Sequence, residues 1–132
     1  MMRFIFLTIL FLLAVACGTT KHDALLFDVR WHVEQIDGAA VDSTGENAYI
    51  VWKSGDEHTV SGNTSCNPFS GKFMLDKDRL TFSDMAVTRR ACFGENIEQA
   101  FLAILARTTR YRIADGKLIL TDDANDIAVL HR

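Results

Sequence analysis

The sequence predicts an antiparallel α+β domain: a strongly curled sheet of about eight short strands packed around one amphipathic helix. Three observations predict it. Apolar residues alternate with period two in short segments separated by turn chemistry. The helical period appears once, between Asn96 and Arg107. Nowhere do strands and helices alternate in the βαβ manner that a parallel sheet requires.

The segment "RWHVEQID" alternates around Val29, Trp31 and Val33, then meets Asp37 and Gly38, and reads as a half-buried strand ending in a turn. "AYIVWK", from Ala48 to Lys53, is aromatic and β-branched and reads as a second strand. Turn residues follow at Ser54 to Asp56, and "EHTVSG" continues as the hairpin partner. The stretch "VSGNTSCNPFSG" from Val60 to Gly71 holds the chain's one proline and reads as a glycine-bearing turn. There Gly62 and Gly71 are expected to supply positive φ, Asn67 a side-chain bond to the backbone, and Pro68 a stiff exit. "GKFML" and "RLTFS" flank "DKD" at Asp76 to Asp78 in hairpin style. Asp115 and Gly116 sit between two alternating segments, the strongest hairpin signal in the chain, and "IAVLH" supplies the last strand.

In "NIEQAFLAILAR" apolar side chains fall at Ile97, Ala100, Phe101, Ile104 and Leu105, one face of a helix. Asn96 is placed to cap the first turn, with Gln99 three residues on as a capping-box partner. Arg107 and Arg110 lie where the helix dipole favours cations.

The first residues have export-signal architecture: Arg3, an apolar run from Phe4 to Ala16, then small residues leading to Cys17. The run is shorter than the roughly 20 residues a membrane span needs. Residues 1–16 are therefore expected to be a removable signal, residues 17–28 a lipidated N-terminus and tether, and residues 29–132 one folded domain. Ala14 to Cys17 resembles a bacterial lipobox, in which the Cys17 thiol is acylated and becomes the new N-terminus. Gly18, rather than an aspartate, then points to the outer membrane. Several acyl chains at about 0.8 kcal/mol per buried methylene would hold the protein on the membrane surface.

Only Arg3 is lost with the signal, so the net charge moves from −3 to −4. Such an interspersed, mildly acidic balance carries no nucleic-acid footprint, and Arg89 and Arg90 read as a solvated face. Of three cysteines, Cys17 is expected to go to the lipid, the alternative being an ordinary signal peptide cut nearby that leaves Cys17 a spare thiol or removes it. In an oxidising compartment the remaining pair, Cys66 and Cys92, favours a disulfide over a metal pair or a reactive thiol. No metal-ligand spacing accompanies them, since His22, His32, His58 and His131 are scattered.

In order along the chain, four pieces resemble the META domain family of HslJ-like bacterial envelope lipoproteins: the strand from Trp31 to Gly38; "VSGNTSCNPFSGKF", with Gly62, Cys66, Asn67, Phe69 and Gly71; "TRRACFGENIEQAFLAIL", with Thr88, Ala91, Cys92 and Glu98; and the closing "KLILT" and "IAVLHR". The sequence departs from the family at Ser65, where glycine is usual, and at Arg90, where methionine is common. The resemblance implies a Cys66–Cys92 disulfide, a link to stress response, drug tolerance, secretion or motility, and no catalytic residues.

The expected function is that of a non-enzymatic envelope lipoprotein, lipid-anchored and facing the periplasm, acting as a stress- or secretion-related binding or structural module. The expected partners are the membrane, through the lipid, and an envelope protein. The alternative is a carrier of a lipid or other small apolar ligand, or a pilotin-like chaperone. No cofactor or metal is expected. The enzyme reading would draw on Ser61, His58 and Asp56, or on Asp122, Asp123 and Asp126, but the first set lacks an oriented base and oxyanion site. The second lacks EF-hand spacing and reads as a turn.

Overall fold

The computed structural model describes residues 23–42 and 47–132. The expected signal and Cys17 lie outside the described residues. Nine strands follow a short helix α1 (Asp23–Leu26): β1 (Trp31–Ile36), β2 (Ala39–Ala40), β3 (Tyr49–Trp52), β4 (Thr59–Asn63), β5 (Pro68–Asp76) and β6 (Arg79–Val87) come first. Helix α2 (Glu98–Arg107) then precedes β7 (Arg110–Ala114), β8 (Lys117–Thr121) and β9 (Asp126–His131).

All pairings between these strands are antiparallel. Neighbours run β1-β3-β4-β5-β6-β7-β8-β9 and return to β1, so the curled sheet closes on itself, with β2 as a small flap on the far half of β1. The domain is thus mostly β, with nine strands rather than about eight, because β2 forms from only two residues around the Asp37–Gly38 turn. Both residues of that turn have positive φ, 47° and 81°, as do Asp115 and Gly116 at 53° and 74°. That backbone matches the twist of a two-residue hairpin.

Curvature comes from bulges. The β5–β6 register slips between Ser70 and Lys72, and Asp84 opposite takes φ 52°. An extra residue in one strand bends it and sharpens its twist. The weakest seam joins β6 to β7, with one register pair, Arg79 to Arg110, flanked by backbone bonds from Leu80 N to Thr109 O and from Tyr111 N to Asp78 O.

Helix α2 lies across one mouth of this barrel. Phe101, Ile104 and Leu105 are fully buried in the shared core, each contributing about 1.5–3 kcal/mol of apolar burial. Ile97 is half-buried and Ala100 exposed, so the buried stripe is narrower than the sequence periodicity implies. At its far end Arg107 reaches Asp37 at 3.0 Å and Asp122 at 3.5 Å, on the rims of two different hairpins.

The opposite mouth is covered by the chain's own N-terminal side. Leu26 is completely buried, its carbonyl accepts a hydrogen bond from Trp31 Nε1 at 3.1 Å, and Phe27 bridges to Trp52. Asp28 N donates to Trp52 O, and the Asp28 carboxylate accepts bonds from Ser54. The tether expected over 17–28 is therefore corrected for residues 23–28, which belong to the folded unit because burying Leu26 and Phe27 closes the end of the core. Between the two plugs the interior is filled by Trp31, Trp52, Ile50, Leu80, Leu118 and Leu130.

Candidate functional site

Of the residues singled out from the sequence, Cys66, Asn67, Thr88, Cys92 and Glu98 converge on one place, the junction of the β4–β5 loop, the segment after β6 and the start of α2, whereas Trp31 packs beside Leu26 and Gly38 lies in the β1–β2 turn. Cys66 and Cys92 form a disulfide there, with Cα atoms 5.8 Å apart. Cys66 is buried and Cys92 half-exposed.

Asn67, 1% exposed, is the hub. Its Oδ1 accepts hydrogen bonds from Thr88 Oγ1 at 3.0 Å and Arg90 N at 2.9 Å. Its Nδ2 donates to Arg90 O at 3.0 Å and Glu98 Oε2 at 3.0 Å, with Cys66 Sγ at 3.2 Å. Glu98 also accepts the Thr64 hydroxyl at 2.5 Å. Thr64 is fully buried, and its Oγ1 accepts in turn from Cys66 N and Asn67 N. Such a buried network is stable only because its donors and acceptors are matched. Its chemistry is consumed in holding three chain segments together.

Sequence reasoning assigned the wrong job to the two glycines. Gly62 and Gly71 lie in β4 and β5, and neither is among the positive-φ residues. Gly62 is needed for space: a Cβ there would collide with the Tyr49 carbonyl oxygen and the Phe69 ring. At Gly71 a Cβ would meet the Met85 sulfur and approach Ser83 O to 3.2 Å. The positive φ of this loop falls on Ser65, at 80°. This is where the META pattern usually has glycine, which adopts that region without a Cβ penalty. Serine holds it through one local and one long-range bond: Ser65 N donates to Asn63 Oδ1, and Ser65 Oγ accepts from Ile97 N at 3.1 Å.

At the start of α2 the N-cap position falls on Ile97, which has no side-chain cap of its own. The expected capping box of Asn96 and Gln99 is therefore corrected: Asn96 Oδ1, one residue earlier, accepts from Glu98 N, Ser65 Oγ accepts from Ile97 N across the loop, and Gln99 stays exposed. Phe69 packs edge-on against Phe101, with centroids 5.8 Å apart, joining this junction to the core. Thr64 and Ser65 are the participants that sequence reasoning missed. A threonine three residues before Asn67 was the available signal.

Two shallow grooves flank the junction. One of about 540 Å³ is lined by Cys66, Cys92, Asn96 and Gln99, the other of about 520 Å³ by Met85, Val87, Thr88 and Leu102, and Glu98 borders both. The enzyme candidates fare differently. His58 and Asp56 are exposed in the β3–β4 loop, and the His58 ring rests on Phe73. Asp122 builds a turn, with Oδ1 accepting from Ala124 N and Asn125 N, while Asp126 pairs with Arg112. Among the described residues no cluster of three or more His, Cys, Asp or Glu is placed to hold a metal ion. Among them, too, no helix is long and apolar enough to cross a membrane.

The META domain family model matches residues 24–132. The chain belongs to the META domain family. The matched range starts within α1, in agreement with the burial of Leu26. Two solved structures share the fold. An NMR structure of a protein from Burkholderia xenovorans is 26% identical, with a TM-score of 0.66 over 83% of this chain and 84% of that one. A second NMR structure is 22% identical, with a TM-score of 0.64 over 82% and 92%. No curated protein matches the sequence.

Proposed function

We propose that this META domain protein is an exported, lipid-anchored binding module of the cell envelope, without catalysis of its own, acting in stress tolerance or secretion at the periplasmic face of the outer membrane. The observation that carries the reading is the Cys66–Cys92 disulfide, which takes up both cysteines of the folded unit. Such a bond persists in oxidising compartments, and it leaves Cys17, at the end of the apolar N-terminal run, for acylation. Support for binding rather than catalysis comes from the junction itself, whose polar groups are engaged in structural hydrogen bonds. Filling of the interior by Trp31, Trp52 and Phe101 favours a protein partner over a carried apolar ligand.

The test is to grow cells expressing the full chain with an alkyne-tagged fatty acid. The reading expects label on the wild type in the outer-membrane fraction, and loss of both label and membrane association in Cys17→Ala. An unlabelled protein in the soluble periplasmic or cytosolic fraction would contradict it.

A further inference from the structure

The disulfide is closed to solvent on one side and open on the other. Cys66 is 5% exposed, its backbone N bonded to Thr64 Oγ1 and its carbonyl to the Arg90 guanidinium. Cys92 is half-exposed, in the irregular segment between β6 and α2. The groove of about 540 Å³ that both cysteines line is walled by Arg90, Glu95, Asn96 and Gln99. Thiol–disulfide exchange is directed by which sulfur can be reached and by which thiolate leaves more readily. Here the sulfur within reach belongs to Cys92.

The departing side has a donor in place. Asn67 Nδ2 stands 3.2 Å from Cys66 Sγ. An N–H aimed at the sulfur favours its charged form and offsets part of the cost of burying a thiolate. The other bonds of the junction do not pass through either sulfur. Asn67 holds the N and O of Arg90, the Thr88 hydroxyl and the Glu98 carboxylate, while Ser65 holds Ile97 N. Opening the disulfide therefore frees only the segment from Ala91 to Glu95, between residues that stay anchored.

We propose that Cys66–Cys92 is a thiol-exchange site of fixed polarity, in which Cys92 Sγ receives a peptide thiolate and Cys66 is the leaving group. The incoming sulfur bonds to Cys92 Sγ as the Cys92–Cys66 bond breaks, and that bond's electron pair passes to Cys66 Sγ, beside Asn67 Nδ2. A second peptide thiolate attacks the peptide's sulfur in the mixed disulfide and releases Cys92 as thiolate. Two electrons enter the protein, one peptide disulfide departs, and the two protein sulfurs take up the protons that the peptide thiols gave up. The inference stands on the disulfide alone and needs neither the lipid anchor nor the binding reading.

The experiment treats the oxidised full chain, purified in detergent, with excess reduced glutathione. Early time points are quenched with N-ethylmaleimide and read by mass spectrometry of unreduced peptides. The expected species carries glutathione on Cys92 and maleimide on Cys66, in about tenfold or greater excess over the reverse arrangement. In denaturing urea, where both sulfurs are open, that preference should vanish. Glutathione mainly on Cys66, an even division in the native protein, the same preference in urea, or no exchange until urea is added would overturn the proposal. Fatty-acid labelling of Cys17 succeeds or fails independently of these readouts.

Discussion

Asn67 Nδ2 and Glu98 Oε2 meet at 3.0 Å across 31 residues of sequence, and that contact joins the β4–β5 loop to the first turn of α2. Both side chains are further committed, Asn67 to Thr88 and Arg90 and Glu98 to Thr64. The junction is therefore a single cooperative unit rather than a set of separable bonds.

Replacing Asn67 by Ala strands Arg90 N and part of the Glu98 carboxylate. The expected loss is about 2–3 kcal/mol by urea denaturation. Asn67→Asp should cost more at pH 7, because it sets a second carboxylate against Glu98 and removes the amide donor. Its deficit should shrink as pH falls and one of the two acids takes a proton.

Ser65 combines backbone strain with a useful hydroxyl. Ser65→Ala keeps the positive φ and loses the acceptor for Ile97 N, so a loss of about 1 kcal/mol is expected. Ser65→Gly loses the same bond but relieves the backbone, and should stay within about 0.5 kcal/mol of the wild type. The informative result is the order of the two variants in chemical denaturation, with glycine above alanine.

The two strand glycines should differ sharply on substitution by alanine. At Gly62 the added carbon meets the backbone oxygen of Tyr49, which cannot move without disturbing the β3–β4 ladder. At Gly71 its nearest obstacle is the Met85 sulfur, near the end of a flexible side chain. Thermal melting should show Gly62→Ala losing about 2 kcal/mol or more, and Gly71→Ala clearly less.

Three aspartates sit below the usual carboxylate range: Asp28 through its bonds from Ser54, Asp122 through the amides of Ala124 and Asn125, and Asp126 through Arg112. A depressed folded-state value means stability that is fully present above the unfolded value, about pH 3.9, and lost as pH falls through the folded one. Urea midpoints should therefore be insensitive to these groups near neutrality and decline below about pH 4. Asp122→Asn keeps an acceptor oxygen for the turn but cannot titrate, so its acid decline should be shallower.

Local chemistry made part of this architecture readable from the sequence. The Asp115–Gly116 turn and helix α2 are encoded within a few residues, and the structure places both, although only Phe101, Ile104 and Leu105 of the expected apolar face are buried. β5 and β6 run longer than their alternation indicated, because the bulge at Asp84 and Met85 breaks the period of two midway. Leu26 and Phe27 looked like tether because a two-residue plug has no periodicity to detect. Cys66, Asn67, Thr88 and Glu98 were recognisable as a set through family resemblance. The role of Thr64, and the division of labour between Ser65 and the glycines, depend on contacts spanning some 30 residues and on φ values that composition does not reveal.

The covalent link between the β4–β5 loop and the approach to α2 supports the fold and is the basis of the proposal that the protein works in an oxidising compartment. Closing a loop with a sequence separation of 26 is worth about 3.5 kcal/mol. Its direct test is mass spectrometry of unreduced, alkylated peptides from protein isolated from the cell envelope. The account predicts a single Cys66–Cys92 linked peptide that disappears on reduction; two separately alkylated thiols at those positions would contradict it.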